Sequence, residues 1–217
     1  REWRTRQATT TAMIELLQII PVEKYQNNLE EIWTMAFRSI DDIKESVRES
    51  GTKLTKYLSN SLIKSIENSH TSSKNYEKIL GKLIPFLIGT KGVLSSVDQV
   101  RSFSMKIIIK LCMKAGDSLK PFIPGLVEEL LVLMSTLEPQ IVNYLALNAD
   151  KYNLKSSDID SKRLNSVGHS PVMEAIERMM DLLIDDDLIK EFINKLNSAI
   201  KRSVGLPSKV AGSKVIV

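Results

Sequence analysis

The chain has 217 residues, 43% of them hydrophobic and 26% charged, which is enough apolar material for a sizeable core and too much for a disordered chain. Lys and Arg number 30 against 26 Asp and Glu, a net charge of +4, and the two signs are interspersed through most of the length, so the bulk of the chain carries no single-sign field. Only 9 glycines and 6% aromatics, with Leu, Ile, Lys, Glu and Ser dominant, favour helices over sheets and make an all-α fold the expectation.

The chain opens on Arg1-Glu2-Trp3-Arg4 without an initiator methionine or a charged-then-apolar leader, so an upstream part is expected. Arg6-Gln7-Ala8-Thr9 followed by Ala12, Leu16 and Ile19 reads as the second helix of a pair whose first helix is missing, over residues 1–22. The clearest stripe follows at Leu29, Ile32, Trp33, Ala36, Phe37 and Ile40, the i, i+3, i+4, i+7 pattern of a helix with one buried face. Asp41 and Asp42 then supply capping side chains, and Ile43, Val47, Leu54, Leu58, Leu62 and Ile66 repeat at helical spacing. So short a connection forces the two helices antiparallel, making 27–66 one helical hairpin.

The pattern recurs over 76–115. Tyr76, Ile79, Leu80, Leu83, Ile84 and Leu87 mark a helix, Gly89-Thr90-Lys91-Gly92 breaks it, and Val97, Val100, Ile107, Ile108 and Leu111 mark its partner. A third pair is expected over 119–149, from Phe122, Ile123, Leu126, Val127, Leu130, Leu131 and Met134 across Glu138-Pro139 to Ile141, Val142, Leu145 and Ala149. An irregular fourth occupies 171–217, with Leu188, Ile189, Phe192, Ile193, Leu196 and Ile200 on one helix and a helix cut short at Val217 after the Gly205-Leu206-Pro207 turn. Residues 67–75 and 150–170 are polar, turn-rich loops. The longest apolar runs, such as Leu130 to Met134, fall far short of the roughly 18 residues that a membrane span requires.

Internal repetition runs through these pairs. Arg6, Arg48 and Arg101 each stand near the start of a second helix, 42 and 53 residues apart. Leu83-Ile84-Pro85-Phe86-Leu87 and Phe122-Ile123-Pro124-Gly125-Leu126 both place a proline, Pro85 and Pro124, inside an apolar helix, which bends by losing a backbone donor. Two-helix repeats of about 40 to 47 residues are the HEAT and armadillo class, so the fold expected is a single continuous α-solenoid over 1–217, cut at both ends. The arginines fit a structural role, pairing with turn acids such as Asp42 or Asp98 and tying adjacent repeats together, and the small residues three positions on, Gly51 and Ser104, allow close approach of helices. The cut ends are expected to leave Ala12, Leu16 and Ile19, and Val210, Val215 and Ile216, without natural partners.

Catalytic chemistry is not visible. His70 and His169, the two histidines, sit in polar loops with no ligand or triad partner at useful spacing. Gly205 to Gly212 lacks the Lys-Ser/Thr pair of a phosphate loop. Asp41-Asp42 and Asp185-Asp186-Asp187 fall at helix junctions, where capping explains them, and the single cysteine, Cys112, lies among apolar neighbours that disfavour a thiolate. A lone cysteine cannot form an internal disulfide, which points to an intracellular chain. No enzyme activity, metal, cofactor or small-molecule substrate is expected. The last seventeen residues carry Lys201, Arg202, Lys209 and Lys214 with no acid among them, a candidate footprint for nucleic acid or an acidic partner, weighed against a solvated helix end.

Several segments resemble the large proteasome-associated adaptor and scaffold proteins of eukaryotes, which are HEAT-repeat chains. They are Leu29 to Trp33 with Phe37-Arg38-Ser39-Ile40-Asp41-Asp42-Ile43-Lys44-Glu45-Ser46-Val47-Arg48, then Leu137-Glu138-Pro139-Gln140-Ile141-Val142-Asn143-Tyr144-Leu145-Ala146-Leu147, then Ser170-Pro171-Val172-Met173-Glu174, and the turn and helix from Val204 to Val217. The resemblance implies a non-enzymatic scaffold of the cytoplasm and nucleus that binds the proteasome, bridges its regulatory and core particles and acts in assembly quality control. The residues themselves leave two other classes open: a helical array that binds nucleic acid or another large complex, as a transport receptor does, and the helical region of a larger kinase or ligase.

Overall fold

A computed structural model describes residues 2–68, 73–135 and 140–216. Among these residues every regular element is helical, with eleven α-helices and three short 3-10 turns. The expected single run over 1–217 packs as two compact units, Arg1–Leu119 and Lys120–Val217.

The first unit holds α1 (Trp3–Ile19), α2 (Leu29–Ile40), α3 (Glu45–Asn68), α4 (Ser73–Ile88) and α5 (Asp98–Lys114). α2 and α3 form the tightest pair, because every apolar position of the α2 stripe is buried and Val47, Leu54, Leu58, Leu62 and Ile66 meet it from α3. Ile43 departs from the expected stripe. It lies in the turn ahead of α3 and is 91% exposed. α4 and α5 form the next pair, and like helices stack on like: α1 packs on α3, α3 on α5, and α2 on α4. Lys110 reaches Asn60 at 3.4 Å and Lys114 reaches Glu67 at 2.9 Å, so residue numbers rise together along both helices and α5 runs parallel to α3. Phe37 of α2 stacks on Phe86 of α4 with ring centroids 5.6 Å apart, while Trp33 meets Phe37 edge-on. First helices on first and second on second is the stacking of HEAT repeats.

The second unit departs from the hairpins read along the chain. It holds α6 (Ile123–Leu133), α7 (Gln140–Leu147), α8 (Ser156–Gly168), α9 (Pro171–Met180), α10 (Asp186–Arg202) and α11 (Leu206–Ile216). α6 is apolar on nearly every side and buries Ile123, Leu126, Val127, Leu130, Leu131 and Leu133. A helix of that kind needs cover all round, and the 8-residue α7 is too short to give it. α6 accordingly packs most extensively on the 17-residue α10, with α9 and α11 on its other sides. The pair expected over 119–149 is replaced by this arrangement.

The stretch 150–170, expected as a loop, contains the 13-residue α8, whose buried Ile159 and Val167 are too few to announce a helix by periodicity. Of the loop expected at 67–75, residues 67–68 belong to α3 and 73–75 to α4; the rest of it, with His70, and the Glu138-Pro139 break lie outside the described residues. Pro85 is inside α4 as expected, but Pro124 sits in the first turn of α6, where a missing N–H has no intrahelical partner to lose and no bend follows. At the far end Val215 is buried against expectation, whereas Ile19 is 83% exposed.

Candidate functional site

The three arginines sit where their spacing put them, and the structure separates their roles. Arg6 of α1 forks onto Asp42, with Nε 2.6 Å from Oδ2 and a terminal nitrogen 3.0 Å from Oδ1, so it ties one repeat to the turn of the next. Asp42 Oδ1 also accepts from the Lys44 backbone N–H at 2.9 Å, capping the entry to α3. Arg48 instead donates to the Asp42 and Ile43 carbonyls, each at 2.9 Å. Fifty-three residues later the same device returns: the Ser95 hydroxyl accepts from the Val97 N–H at 3.2 Å, and Arg101 donates to the Ser95 carbonyl at 2.8 Å. Ser95 cannot pair with an arginine as Asp42 does, and Arg101 turns to Asp98. The second turn therefore lacks the arginine–carboxylate fork of the first, and its ionic link to the preceding repeat is instead Lys91 to Glu30 of α2 at 2.8 Å. The Arg6 fork, more than any other influence, holds the Asp42 carboxyl below the usual carboxylate range.

Gly51 and Ser104 occupy matching places three residues beyond Arg48 and Arg101. A Cβ at Gly51 would lie 2.7 Å from the Ser39 backbone, so α2 and α3 touch there through main chain. Ser104 is wholly buried, its hydroxyl having no hydrogen-bond partner among the described residues. Asp41 is exposed at the end of α2 and takes no part in the Arg6 fork.

The basic C-terminal residues divide. Arg202 is committed internally, donating to Glu128 at 3.1 Å and Glu129 at 3.5 Å. Glu128, 6% exposed on the largely apolar α6, also accepts from Ser198 at 2.6 Å and pairs with Lys195 at 3.1 Å. Lys195, Ser198 and Arg202 stand at i, i+3 and i+7 on one face of α10, so three donors converge on one carboxylate. Its proton affinity falls, chiefly through the Ser198 hydrogen bond and then through Lys195 and Arg202. In the sequence the only signal of this cluster is the acid pair Glu128-Glu129 amid Leu126, Val127, Leu130 and Leu131. Lys214 lies across Gly168, where a Cβ would meet its ammonium at 2.3 Å, beside the C-terminal end of α8, a place that favours a cation. Lys201 and Lys209 are exposed. Arg202 and Lys214 are exposed as well, but Arg202 is already paired with Glu128 and Glu129.

No group of His, Cys, Asp and Glu among the described residues could hold a metal ion, and none of their helices is long and apolar enough to cross a membrane. His169 contacts the Asn165 carbonyl at 2.9 Å in its own helix end. Burial pushes the Cys112 thiol up to about 12, far from a nucleophile. Asp185 caps α10, accepting from the Asp187 N–H at 2.9 Å. What remains on the surface is suited to binding. A polar cleft of about 960 Å³ lies between α1 and α2, walled by Thr5, Thr9, Glu30, Thr34 and Arg38, and a smaller apolar pocket opens in the second unit.

Against known proteins, the family model described as the HEAT-repeat domain of proteasome adapter and scaffold protein ECM29 matches residues 119–217. The proteasome component ECM29 of Saccharomyces cerevisiae is 43% identical over 218 residues, covering 100% of this chain and 12% of its own length. The chain belongs to the ECM29 family. The human proteasome adapter and scaffold protein ECM29 is 35% identical over 215 residues, with 99% of this chain and 11% of its own length covered. The Schizosaccharomyces pombe proteasome component ecm29 is 32% identical over 222 residues, with 100% and 13% covered. The chain thus spans about an eighth of the length of these ECM29 relatives. No solved structure matches it. The family model covers the second unit almost exactly to its bounds, which is the half whose helix pairing the sequence obscured, while the first unit is matched through the ECM29 relatives themselves.

Proposed function

We propose that this chain is a protein-binding segment of a proteasome adapter and scaffold, acting in the cytoplasm and nucleus without chemistry of its own. It would help hold regulatory and core particles together and serve in quality control of their assembly. The observation that carries the reading is 43% identity, along the whole chain, to a relative named a proteasome component. Physical features support it. Helix pairs that touch only their neighbours leave long helix faces free for a partner. Large apolar side chains such as Ile193 and Leu147 stand 56% and 87% exposed in the second unit, as at protein-binding surfaces. The single cysteine is deeply buried, and of the acid clusters Asp42 is engaged in an ion pair and Asp185 in a helix cap.

The test is sedimentation. A tagged full-length protein bearing this segment, run with purified proteasomes at physiological salt, is expected to travel with the particles, and deleting the segment should reduce the bound fraction. A full-length protein that stays at the top of the gradient contradicts the reading. Binding to DNA or RNA with a steep salt dependence, lost on Lys209→Glu with Lys214→Glu, would favour the nucleic-acid class instead.

A further inference from the structure

The apolar pocket of the second unit belongs to none of the devices described above. Its floor is built from Met134 at the end of α6, Val167 of α8, Val172 of α9 and Pro207 of α11, all buried, and Val142 of α7 forms a wall. Residues from α7, α8, α9 and α11 and from the end of α6 thus converge on a single concavity of about 430 Å³. That volume lies toward the small end for ligand pockets, enough for one large side chain with its flanking backbone and too small for a bulky cofactor. Lys162 and Ser166 of α8 stand exposed at the mouth, and Arg163 lines it beside them. Among the described residues no acid lines the pocket. Arg163 is partly engaged, 3.7 Å from Asp160, so Lys162 is the cation best placed to meet an incoming anion.

We propose that this pocket receives a bulky apolar side chain of an acidic peptide segment from a partner protein, with a carboxylate next to that anchor facing Lys162. Apolar floor and cationic rim together select an occupant that is apolar at its tip and negative at its neck. A large desolvated anchor surrounded by near-neutral contacts is how small interfaces concentrate their binding energy. A peptide fits better than a fatty acid because the helix that supplies Val142 also exposes Ile141, Tyr144 and Leu147, apolar surface that an extended segment can use and a single alkyl chain cannot. The inference does not depend on the partner being the proteasome.

A panel of dye-labelled heptapeptides tests it, each with one central Leu, Met, Phe or Trp flanked by Asp and Glu, titrated by fluorescence anisotropy into the whole chain. At least one is expected to bind saturably. The same peptide with its anchor changed to Ala, or its acids changed to Asn and Gln, should bind at least about tenfold more weakly, a loss of about 1.4 kcal/mol. Lys162→Glu should weaken binding by a similar factor, and Ser166→Trp, which fills the mouth from an exposed position, should abolish it; circular dichroism checks that both variants keep the helical content of the parent. The proposal is overturned if no peptide of the panel binds, if the alanine control binds equally well, or if Ser166→Trp leaves binding intact. Uptake of laurate with no peptide binding would make the pocket a lipid site and overturns it as well.

Discussion

At the scale of single residues the account rests on two kinds of contact, one steric and one ionic. Gly51 has no room for a methyl group, because the atoms it would strike at 2.7 Å are main chain of Ser39. Gly51→Ala should therefore lower stability by about 1–3 kcal/mol in denaturant unfolding, even though alanine is the better helix former; an unchanged or raised midpoint would mean that α2 and α3 can separate without cost. The ionic contacts set a pH dependence. Asp42 and Glu128 both have carboxyls held below their ordinary values, so folding is favoured by them above about pH 4 and loses that contribution as acid protonates them through their lowered folded pKa. Thermal melts of the double variant Asp42→Asn with Glu128→Gln should fall less steeply between about pH 5 and pH 3 than those of the parent. Parallel curves would remove the two carboxylates from the account.

Among the helices, what the sequence made legible follows from how each buries its surface. α2 and α4 could be read residue by residue, since their apolar stripes are complete and their polar faces clear. Their partners were legible too, because the connection at Asp41 to Lys44 leaves no choice but a hairpin. The register of Arg48 with Arg101, and of Gly51 with Ser104, followed from repetition alone. In the second unit that logic failed. α6 is apolar on nearly every side, so its stripe names no direction, and its partner α10 begins more than 50 residues further on, beyond α7, α8 and α9. α8 was hidden by a composition that mimics a loop, with Ser156, Ser157, Asp158 and Asp160 crowded at its start. Pro124 misled because a proline in a first turn and one inside a helix look alike in sequence. The Glu128 cluster is the device that fixes α10 on α6. Glu128→Ala should cost about 1–3 kcal/mol through the lost charge-assisted hydrogen bonds, read as a lower unfolding midpoint, and a neutral result would show that apolar packing alone sets the pairing.

At the scale of the whole molecule, composition argued against disorder and for helices, the short apolar runs left no candidate helical span, and repetition pointed to the HEAT class. The proposed function rests on likeness to the ECM29 relatives, because the matching motifs lie at turns and packed faces: Asp42 in a turn with Arg48 of α3 bonded to its carbonyl, Ser170 capping α9 with its hydroxyl 3.1 Å from the Met173 N–H, Gly205 pressed against Ser135 where any Cβ would collide. Such residues specify the scaffold, while the surfaces that would meet a partner, the exposed apolar residues of α7 and the pocket beside Val142, have no sequence signature of their own. The measurement that tests the central claim most directly is crosslinking of the full-length protein in its purified proteasome complex with a lysine-reactive reagent, read by mass spectrometry. The account predicts intermolecular links from lysines of this segment, among them Lys162 and Lys209, to proteasome subunits. Abundant links from other parts of the protein and none from these 217 residues would contradict it.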